Sequence, residues 1–187
     1  MIWLMFRMLG YWFMKHLGFP KLLPINYTVS LLYTCNSRCG TCNIWKKKAR
    51  NLTVDEYRKI FKGVGRAPYW VTFSGGEPFL RNDIDEVVSA IYQISRPRII
   101  NIPTNGILTK AIVDKTEAIA AACPKAQIII NVSIDGIDTQ HDEIRHVPGN
   151  YKKALATFQK LKALKLPNLS VGIHTVISQF NAESLDR

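Results

Sequence analysis

The distribution of apolar residues divides the chain beyond residue 24 into short apolar runs and longer amphipathic segments. The short runs are rich in β-branched residues, which is typical of strands. The longer segments repeat apolar residues at helical spacing, as Ile84, Val87 and Ile91 do. The predicted strands cover residues 25–32, 69–73, 98–102, 127–134 and 170–177. Because strands that alternate with helices form parallel βα units, we expect an α/β fold with five such units.

Polar residues at the start of the amphipathic segments predict where the helices begin. Thr53 and Glu56 form a capping box, which predicts a helix that runs to about residue 64. The other predicted helix caps are Asn82, Thr109, Asn150 and Asn181. The predicted strand at 127–134 is a continuous apolar run, which is typical of a strand that is buried on both faces.

Residues 1–19 form a separate and strongly apolar segment. Arg7, Tyr11 and Lys15 recur every four residues, so they form one polar stripe on a helix whose other sides are apolar. The segment lacks an uncharged run of the roughly 20 residues that span a bilayer, and it lacks the features of a secretory signal. Two arrangements fit this pattern. The helix lies in a membrane interface, with Trp3 and Trp12 at headgroup depth, or it packs on the domain as ordinary core.

Two prolines, Pro20 and Pro24, end this segment. We therefore divide the chain into an N-terminal helix with its linker, over residues 1–24, and a main domain over residues 25–187. The chain has 187 residues, of which 47% are hydrophobic. That composition is ordinary for a globular protein of a length that can bury a sizeable core.

The chain is distinctly basic, with 25 Lys and Arg against 14 Asp and Glu and a net charge of +11. Such a charge favours nucleic acid, anionic lipid or an acidic substrate as partner. Because no nucleic-acid module is recognisable, we expect no nucleic-acid partner. One concentration of charge, formed by Lys46, Lys47, Lys48 and Arg50, is either a solvated surface or a patch that faces phosphate or lipid.

Three cysteines, Cys35, Cys39 and Cys42, follow the first predicted strand with the spacing C-x3-C-x2-C. Thiolates so close together can wrap one metal centre. A structural zinc site needs four ligands, and no fourth Cys or His lies near. A disulfide would leave one of the three cysteines unpaired, and disulfides are rare in reducing compartments. The cysteine motif of ferredoxins has a different spacing and a fourth cysteine, which disfavours a pure electron carrier. A [4Fe-4S] cluster held by three cysteines leaves one iron open to a substrate or cofactor.

Three further motifs follow the later strands. They are S-G-G-E-P at 74–78, T-N-G at 104–106, and V-S-I-D-G at 132–136 with H-D-E-I-R at 141–145. Together with the cysteine loop they resemble the radical S-adenosylmethionine (SAM) superfamily over about residues 25–178. The last two are most similar to the branch of molybdopterin-precursor cyclases and peptide-modifying (SPASM-type) maturases. One departure is Thr41, which precedes the last cysteine where the family often has an aromatic residue.

The resemblance implies a fold and a set of cofactors. The family core is an incomplete parallel (βα) barrel, usually of six units, and its functional residues lie at the carboxyl ends of the strands. Since the sequence supplies five units, we expect a partial barrel truncated before the sixth unit. The implied cofactors are SAM and a [4Fe-4S] cluster bound by Cys35, Cys39 and Cys42. These cysteines take part in catalysis through the cluster. The residues implied to bind SAM are Gly75, Gly76, Glu77, Thr104, Ser133, Asp135 and Arg145.

The first of these residues belong to the turn after the second strand. Gly75 and Gly76 let the backbone approach the methionyl amine of SAM, because no side chain intervenes. Glu77 either orients that turn and the amine, or forms a salt bridge.

The other SAM-binding candidates follow the third and fourth strands. The hydroxyls of Thr104 and Ser133 either reach the methionyl group or ribose of SAM or satisfy their own turns. Asp135 suits a ribose hydroxyl but also begins an ordinary Asp-Gly turn. The guanidinium of Arg145 suits the methionyl carboxylate. Asn105 is expected to be a turn residue rather than a ligand.

The resemblance also implies a function. The reduced cluster cleaves SAM to methionine and a 5′-deoxyadenosyl radical, which abstracts hydrogen from an unidentified substrate, a peptide or a small molecule. An external donor such as flavodoxin or ferredoxin supplies the electron. The expected location is the cytoplasm, with or without contact at a membrane surface through residues 1–19. The alternative is a regulatory or scaffold module that binds the cluster and SAM without turnover.

Overall fold

The sheet of this protein contains five parallel strands in the order β1-β2-β3-β4-β5. The computed structural model describes residues 2–184, with side chains from residue 4 onward. The strands are β1 (Asn26–Leu32), β2 (Trp70–Gly75), β3 (Ile99–Thr104), β4 (Gln127–Ser133) and β5 (Leu169–His174). Since sequential strands are neighbours throughout and helices connect them, the predicted partial parallel barrel is confirmed.

Six helices accompany the strands in the described part of the chain. They are α1 (Ile2–Leu17), α2 (Val54–Val64), α3 (Ile84–Ser95), α4 (Thr109–Ala122), α5 (Thr139–Arg145) and α6 (Asn150–Ala163). Short 3-10 turns lie at Ile44–Lys46, Pro78–Leu80 and Ala182–Ser184. Helix α5 was not predicted, because two turns are too few for an apolar repeat to emerge.

The helix starts confirm one predicted cap and correct three others. The hydroxyl of Thr53 accepts from the Glu56 amide, and the Glu56 carboxylate accepts from the Thr53 amide, which is the predicted capping box. The cap positions before α3, α4 and α6 are instead Asp83, Leu108 and Gly149. Asn82 was therefore one residue too early, while Thr109 and Asn150 lie inside the first turns of their helices.

The predicted helix after Asn181 is described only as the 3-10 turn at Ala182–Ser184, and residues 185–187 lie outside the described residues. The side chain of Asn181 does not cap this turn. Its amide nitrogen donates to the Asp135 carbonyl (2.8 Å) and the Val176 carbonyl (2.9 Å). Asn181 therefore ties the segment beyond β5 to the loop beyond β4.

The two faces of the sheet differ in chemistry. Side chains on the outer face, such as Val71, Phe73 and Ile100, are completely buried under the helices. The inner face is only partly covered, so the prediction that the fourth strand is buried on both faces was wrong: burial alternates along β4. None of the five strands contains Asp, Glu, Lys or Arg. The concave face is therefore lined by uncharged polar and apolar side chains.

Helix α1 turns Arg7 and Tyr11 of its polar stripe towards the linker, while Lys15 of the same stripe is exposed. Arg7 donates to the Tyr11 hydroxyl and to the Leu23 carbonyl, to which the Tyr11 hydroxyl also donates. A Cβ on Gly10 would lie 2.7 Å from the Leu22 Cδ1 atom, so glycine allows the linker to pack closely. Most of the apolar circumference faces outward, with Trp12 54% exposed. The side chain of Trp3 lies outside the described residues. The arrangement as ordinary core is therefore wrong for the exposed apolar side chains, whereas Leu4 and Met14 are partly buried.

The apolar character of α1 does not amount to a membrane span. Within residues 2–184, the structure contains no helix with the length and apolar character needed to cross a bilayer. The division into units at 1–24 and 25–187 stays a prediction.

Candidate cluster and SAM site

The motif turns meet at one edge of the sheet. Each predicted motif lies at or just beyond the carboxyl end of β1, β2, β3 or β4, and these ends lie side by side because all the strands are parallel. The cysteine loop follows β1, and its neighbour in the sheet is the S-G-G-E-P turn after β2. Residues that are up to 110 positions apart in the sequence, Cys35 and Arg145, thereby reach one region.

The cysteine loop presents three free thiols. Cys35 and Cys39 are partly buried and Cys42 is exposed. Backbone amides point at two of the sulfur atoms: Ser37 N lies 3.4 Å from Cys35 Sγ, and Ile44 N lies 3.5 Å from Cys42 Sγ. Hydrogen bonds to sulfur tune iron–sulfur clusters, so this donor set suits one. No three His, Cys, Asp or Glu side chains of the described residues converge on the position of a single metal ion.

The environment opposes spontaneous ionisation of the partly buried thiols. Burial is the largest effect on Cys35 and on Cys39, and it raises the pKa of each thiol above its usual range. The Arg145 cation partly offsets this effect at Cys39 by favouring its thiolate. Since metal binding requires thiolates, cluster assembly on this loop is coupled to the release of protons.

The segment around the end of α5 forms hydrogen bonds with the cysteine loop. The amides of Arg38 and Gly40 donate to the carbonyls of Arg145 (3.2 Å) and Ile144 (2.9 Å). The His146 ring nitrogen Nδ1 lies 2.9 Å from the Arg38 carbonyl. The backbone of the H-D-E-I-R motif thus stabilises the cysteine loop independently of the motif's side chains.

The two glycines at the end of β2 are required because the segment that follows β1 passes very close to them. A Cβ on Gly75 would lie 2.2 Å from the Leu32 carbonyl, and a Cβ on Gly76 would lie 2.0 Å from the Thr34 carbonyl. Gly75 also has φ of 123°, a conformation that other residues rarely adopt. The glycines therefore let this turn pack on the residues that lead into the cysteine loop. The predicted approach to the SAM amine stays a prediction.

Glu77 organises the adjacent turn and forms no salt bridge with another described residue. Its carboxylate accepts from the Thr104 hydroxyl (2.8 Å), the Asn105 amide (2.7 Å) and the Phe79 amide (3.2 Å). It is only 1% exposed, and this burial raises the pKa of its carboxyl to about 7 despite the three donors. Glu77 thus joins the turn after β2 to the turn after β3.

Thr104 and Asn105 are committed to this network. The Thr104 hydroxyl donates to Glu77 and accepts from the Gly106 amide (3.2 Å), and Thr104 is 2% exposed. Asn105 makes the expected turn, since its side-chain oxygen accepts from the Ile107 amide. Its amide nitrogen also donates to Asn36 (2.6 Å) and Ser37 (3.1 Å) in the cysteine loop. Sequence reasoning missed this second role, which the single motif T-N-G does not reveal.

Asp135 and Arg145 pair with each other. Arg145 Nε lies 2.7 Å from Asp135 Oδ2, an ionic contact without the alignment of a good hydrogen bond. The other Asp135 oxygen accepts from the Val176 amide (2.9 Å). Both side chains are at most 10% exposed. Their predicted contacts, with the ribose and the methionyl carboxylate, stay predictions.

Ser133 is the most accessible of the predicted hydroxyls. It ends β4, is partly exposed, and pairs in register with His174 of β5. Its hydroxyl makes no hydrogen bond to another described residue. His141 is completely buried, and its Nδ1 accepts from the Asp135 amide (3.0 Å), which makes it a structural residue of the loop.

Comparison with known families decides what this arrangement represents. Residues 29–187 match the radical SAM superfamily, a span that contains all of β2 to β5 and every motif turn. The chain belongs to the radical SAM superfamily. Enzymes of this superfamily use a [4Fe-4S] cluster and SAM, so the predicted family, the predicted enzyme class and both predicted cofactors are confirmed at that level.

Curated relatives include enzymes of several pathways. A GTP 3',8-cyclase of Alkaliphilus oremlandii is 32% identical over 87% of this chain and 51% of the relative. An AdoMet-dependent heme synthase of Methanosarcina barkeri is 30% identical over 90% of this chain and 46% of the relative. The sporulation killing factor maturation protein SkfB of Bacillus subtilis is 25% identical over 87% of this chain and 38% of the relative. The chain thus spans about half the length, or less, of these relatives.

Solved structures show the same fold. The enzyme anSMEcpe with bound AdoMet superposes with a TM-score of 0.68 at 18% identity, over 87% of this chain and 46% of that chain. Streptococcus suis SuiB bound to the precursor peptide SuiA superposes with a TM-score of 0.62 at 17% identity, over 88% of this chain and 36% of the SuiB chain. At such identities the likeness concerns the fold alone.

Proposed function

We propose that this chain carries the SAM-cleaving centre of a radical enzyme that abstracts hydrogen from its substrate. The observation that carries the proposal is the set of three free cysteines on one loop, held at the edge where every family motif ends. The cluster and SAM, when bound, supply a 5′-deoxyadenosyl radical from reductive cleavage of SAM. The protein contributes position and exclusion of water.

Some residues at this edge bind the cluster or SAM, and others stabilise the cysteine loop. Cys35, Cys39 and Cys42 hold the cluster, with amides of the loop directed at two of the sulfurs. Ser133 is the hydroxyl best placed to contact SAM, because it is partly exposed and has no hydrogen bond to another described residue. Arg145 supports the loop through its carbonyl and favours the thiolate of Cys39 through its charge.

The remaining SAM-binding candidates form the floor of the site in this proposal. Glu77 and Thr104 fix the turn beneath SAM, and Gly75 and Gly76 bring that turn against the cysteine loop. Asp135 holds Arg145 in place. A change in any of these residues therefore alters SAM binding through the shape of the site as well as through direct contacts.

A basic patch beside the cluster loop suits the electron donor. Lys46, Lys47 and Lys48 are exposed, and no ion pair of the described residues involves them, whereas Arg50 pairs with Glu56 at 2.7 Å. An acidic surface on a flavodoxin or ferredoxin would dock here by charge complementarity, close to the exposed Cys42. The cysteines suit the reducing cytoplasm, where we place the protein.

The concave face favours an uncharged, amide-bearing substrate such as a peptide. Asn101 donates to Thr72 (3.4 Å) and accepts from Asn131 (2.9 Å), which gives a ladder of polar groups across three strands. A Cβ on Gly172 would lie 2.6 Å from the Asn131 Oδ1 atom, so glycine leaves that oxygen room. Because the strands contain no Lys or Arg, they offer no guanidinium or ammonium group to a triphosphate. SuiB, which has this fold, is solved with a precursor peptide.

One experiment tests the function and separates it from a binding module without turnover. The protein is reconstituted anaerobically with iron and sulfide, reduced with dithionite and mixed with SAM. We expect chromatography to detect 5′-deoxyadenosine, to detect none with Cys39→Ala, and to detect an unchanged amount with Cys123→Ala, whose thiol is buried away from the loop. A reducible cluster without 5′-deoxyadenosine would favour the module. GTP should not stimulate the yield, and stimulation by GTP would contradict the substrate class.

We also propose that α1 brings the protein to a membrane surface. Its outward side chains are exposed and apolar, among them Phe6 (70%), Met5 (66%) and Trp12 (54%). A monomeric protein rarely leaves such a contiguous apolar surface in water. The double variant Phe6→Asp, Trp12→Asp should abolish sedimentation with phospholipid vesicles. Equal sedimentation of this variant would contradict membrane contact.

A further inference from the structure

A cavity at the amino edge of the sheet is lined by cations. It has a volume of about 770 Å³ and lies between α1, which contributes Leu4, and the segments that enter β2, β3 and β4. Its charged lining residues are Arg66, Arg96, Arg98 and Lys125, and no Asp or Glu of the described residues lines it. The four charges therefore reinforce one another in a single concave surface.

No carboxylate of the described residues forms an ion pair with these cations. All four side chains are exposed, so a ligand reaches them from solvent. Arg96 lies over the ring of Tyr92, with its guanidinium carbon 5.4 Å from the ring centroid, which limits the positions that it samples. The cavity therefore has a net positive charge, and Tyr92 restrains one of its cations, Arg96.

The topology explains why the cations converge. Arg98 immediately precedes β3, Lys125 lies two residues before β4, and Arg66 lies four residues before β2. Since the strands are parallel, these entry segments meet at one edge, as the motif turns meet at the other. The cavity is therefore at the opposite end of the sheet from the cysteine loop. A partner bound here leaves the cluster and SAM site accessible.

We propose that this cavity binds the phosphate of an anionic phospholipid while the exposed face of α1 enters the lipid interface. The inference rests on the proposed membrane contact and names its lipid class. Leu4 lines the cavity, so the first turn of α1 lies beside the cations. An interfacial helix combined with a basic patch provides the two signals that stable peripheral attachment requires. A free phosphate would use the cations but would leave the apolar face in water.

The test measures sedimentation of the full chain with vesicles of phosphatidylcholine alone and with added phosphatidylglycerol. We expect binding to the anionic vesicles, weak binding to the neutral ones, and a decline as salt screens the charges. Removing two cations with Arg96→Ala, Arg98→Ala should weaken binding about 30-fold, from about 1 kcal/mol for each charge near the surface. The matched control Lys152→Ala, Lys153→Ala removes two exposed charges from α6 and should change binding less than 3-fold.

The outcomes separate this inference from the membrane contact on which it rests. If Phe6→Asp, Trp12→Asp abolishes binding but the arginine variant behaves like the lysine control, the helix contacts lipid and the headgroup site is wrong. Equal binding to neutral and anionic vesicles overturns the lipid class. Displacement from anionic vesicles by inorganic phosphate, with no displacement by chloride at equal ionic strength, would assign the cavity to free phosphate. Absence of vesicle binding by the unchanged protein overturns both.

Discussion

Charged side chains are treated in opposite ways at the two edges of the sheet. At the carboxyl edge Glu77, Asp135 and Arg145 are almost completely buried, and each has a specific polar partner. At the amino edge Arg96 and Arg98 are exposed and have no ion-pair partner among the described residues. Burying a charge costs several kcal/mol unless its partners compensate, whereas an exposed cation costs little.

The difference separates internal organisation from external contact. The carboxyl edge is built so that its charges hold loops in one arrangement, which a site for a reactive intermediate requires. The amino edge leaves its charges available to a partner that is not part of the chain. Substitutions should therefore affect folding at the first edge and association at the second.

The largest effect is expected for the buried ion pair. Asp135→Ala leaves Arg145 without its anion, so the free energy of unfolding should fall by about 3–5 kcal/mol in urea titrations. Asp135→Asn should cost less, because it can still accept from the Val176 amide. In the exposed pair Lys110–Asp114, by contrast, Asp114→Ala should have no measurable effect. Equal losses at the two pairs would show that burial does not distinguish them.

A pH titration should reveal the buried carboxyl of Glu77. Its pKa rises from 4.5 to about 7 on burial, so between these values the folded state holds a proton that the unfolded state releases. The stability that this proton provides is complete below about pH 4.5 and is lost as the pH rises towards and through 7. Relative to Glu77→Gln, the unfolding free energy of the unchanged protein should fall by about 3 kcal/mol from pH 4.5 to pH 8. A constant difference between the two proteins would contradict the raised pKa.

A smaller loss is expected at the glycine turn. Gly76→Ala places a methyl group against the Thr34 carbonyl, a backbone atom that moves only with the cysteine loop. Overpacking of this kind should cost about 1–3 kcal/mol. Gly63→Ala is the control, since it lies in α2 with open space around it and should stabilise by about 0.5–1 kcal/mol. If Gly76→Ala were as harmless as Gly63→Ala, the close approach of the two turns would be wrong.

The smallest effect is expected at the amino edge. Arg98→Ala removes an exposed cation without an ion-pair partner, so the unfolding free energy should stay within about 0.5 kcal/mol of the unchanged value. A loss as large as that of Asp135→Ala would mean that this edge also uses its charges to fold. Thermal unfolding followed by circular dichroism is sufficient for this measurement.

The sequence predicted the strands, their parallel arrangement and the edge at which the motifs meet, because apolar periodicity and strand order are local or follow from topology. It did not predict which polar groups pair across that edge. Asp135 and Arg145 each suit a SAM group by their chemistry, and only the folded chain shows that they contact each other. The bond of Asn105 to the cysteine loop depends likewise on tertiary structure.

The helix caps and the N-terminal helix show another limit. Asn82, Thr109 and Asn150 have the chemistry of caps, but each helix begins where the preceding turn places it. In α1 the stripe of Arg7 and Tyr11 was recognisable, yet amphipathicity does not say which side faces the protein. Here Arg7 and Tyr11 face the linker, because the Leu23 carbonyl offers them an acceptor, while Lys15 of the same stripe is exposed.

The central claim is that the three cysteines of the loop hold a [4Fe-4S] cluster with one iron open to SAM. Electron paramagnetic resonance of the reconstituted, dithionite-reduced protein tests it most directly, because it reports on the cluster itself without requiring turnover. We predict the signal of a reduced [4Fe-4S] cluster that changes when SAM is added, no such signal in Cys35→Ala, and an unaltered signal in Cys123→Ala. A cluster signal that SAM leaves unchanged, or stoichiometric zinc without labile sulfide, would contradict the account.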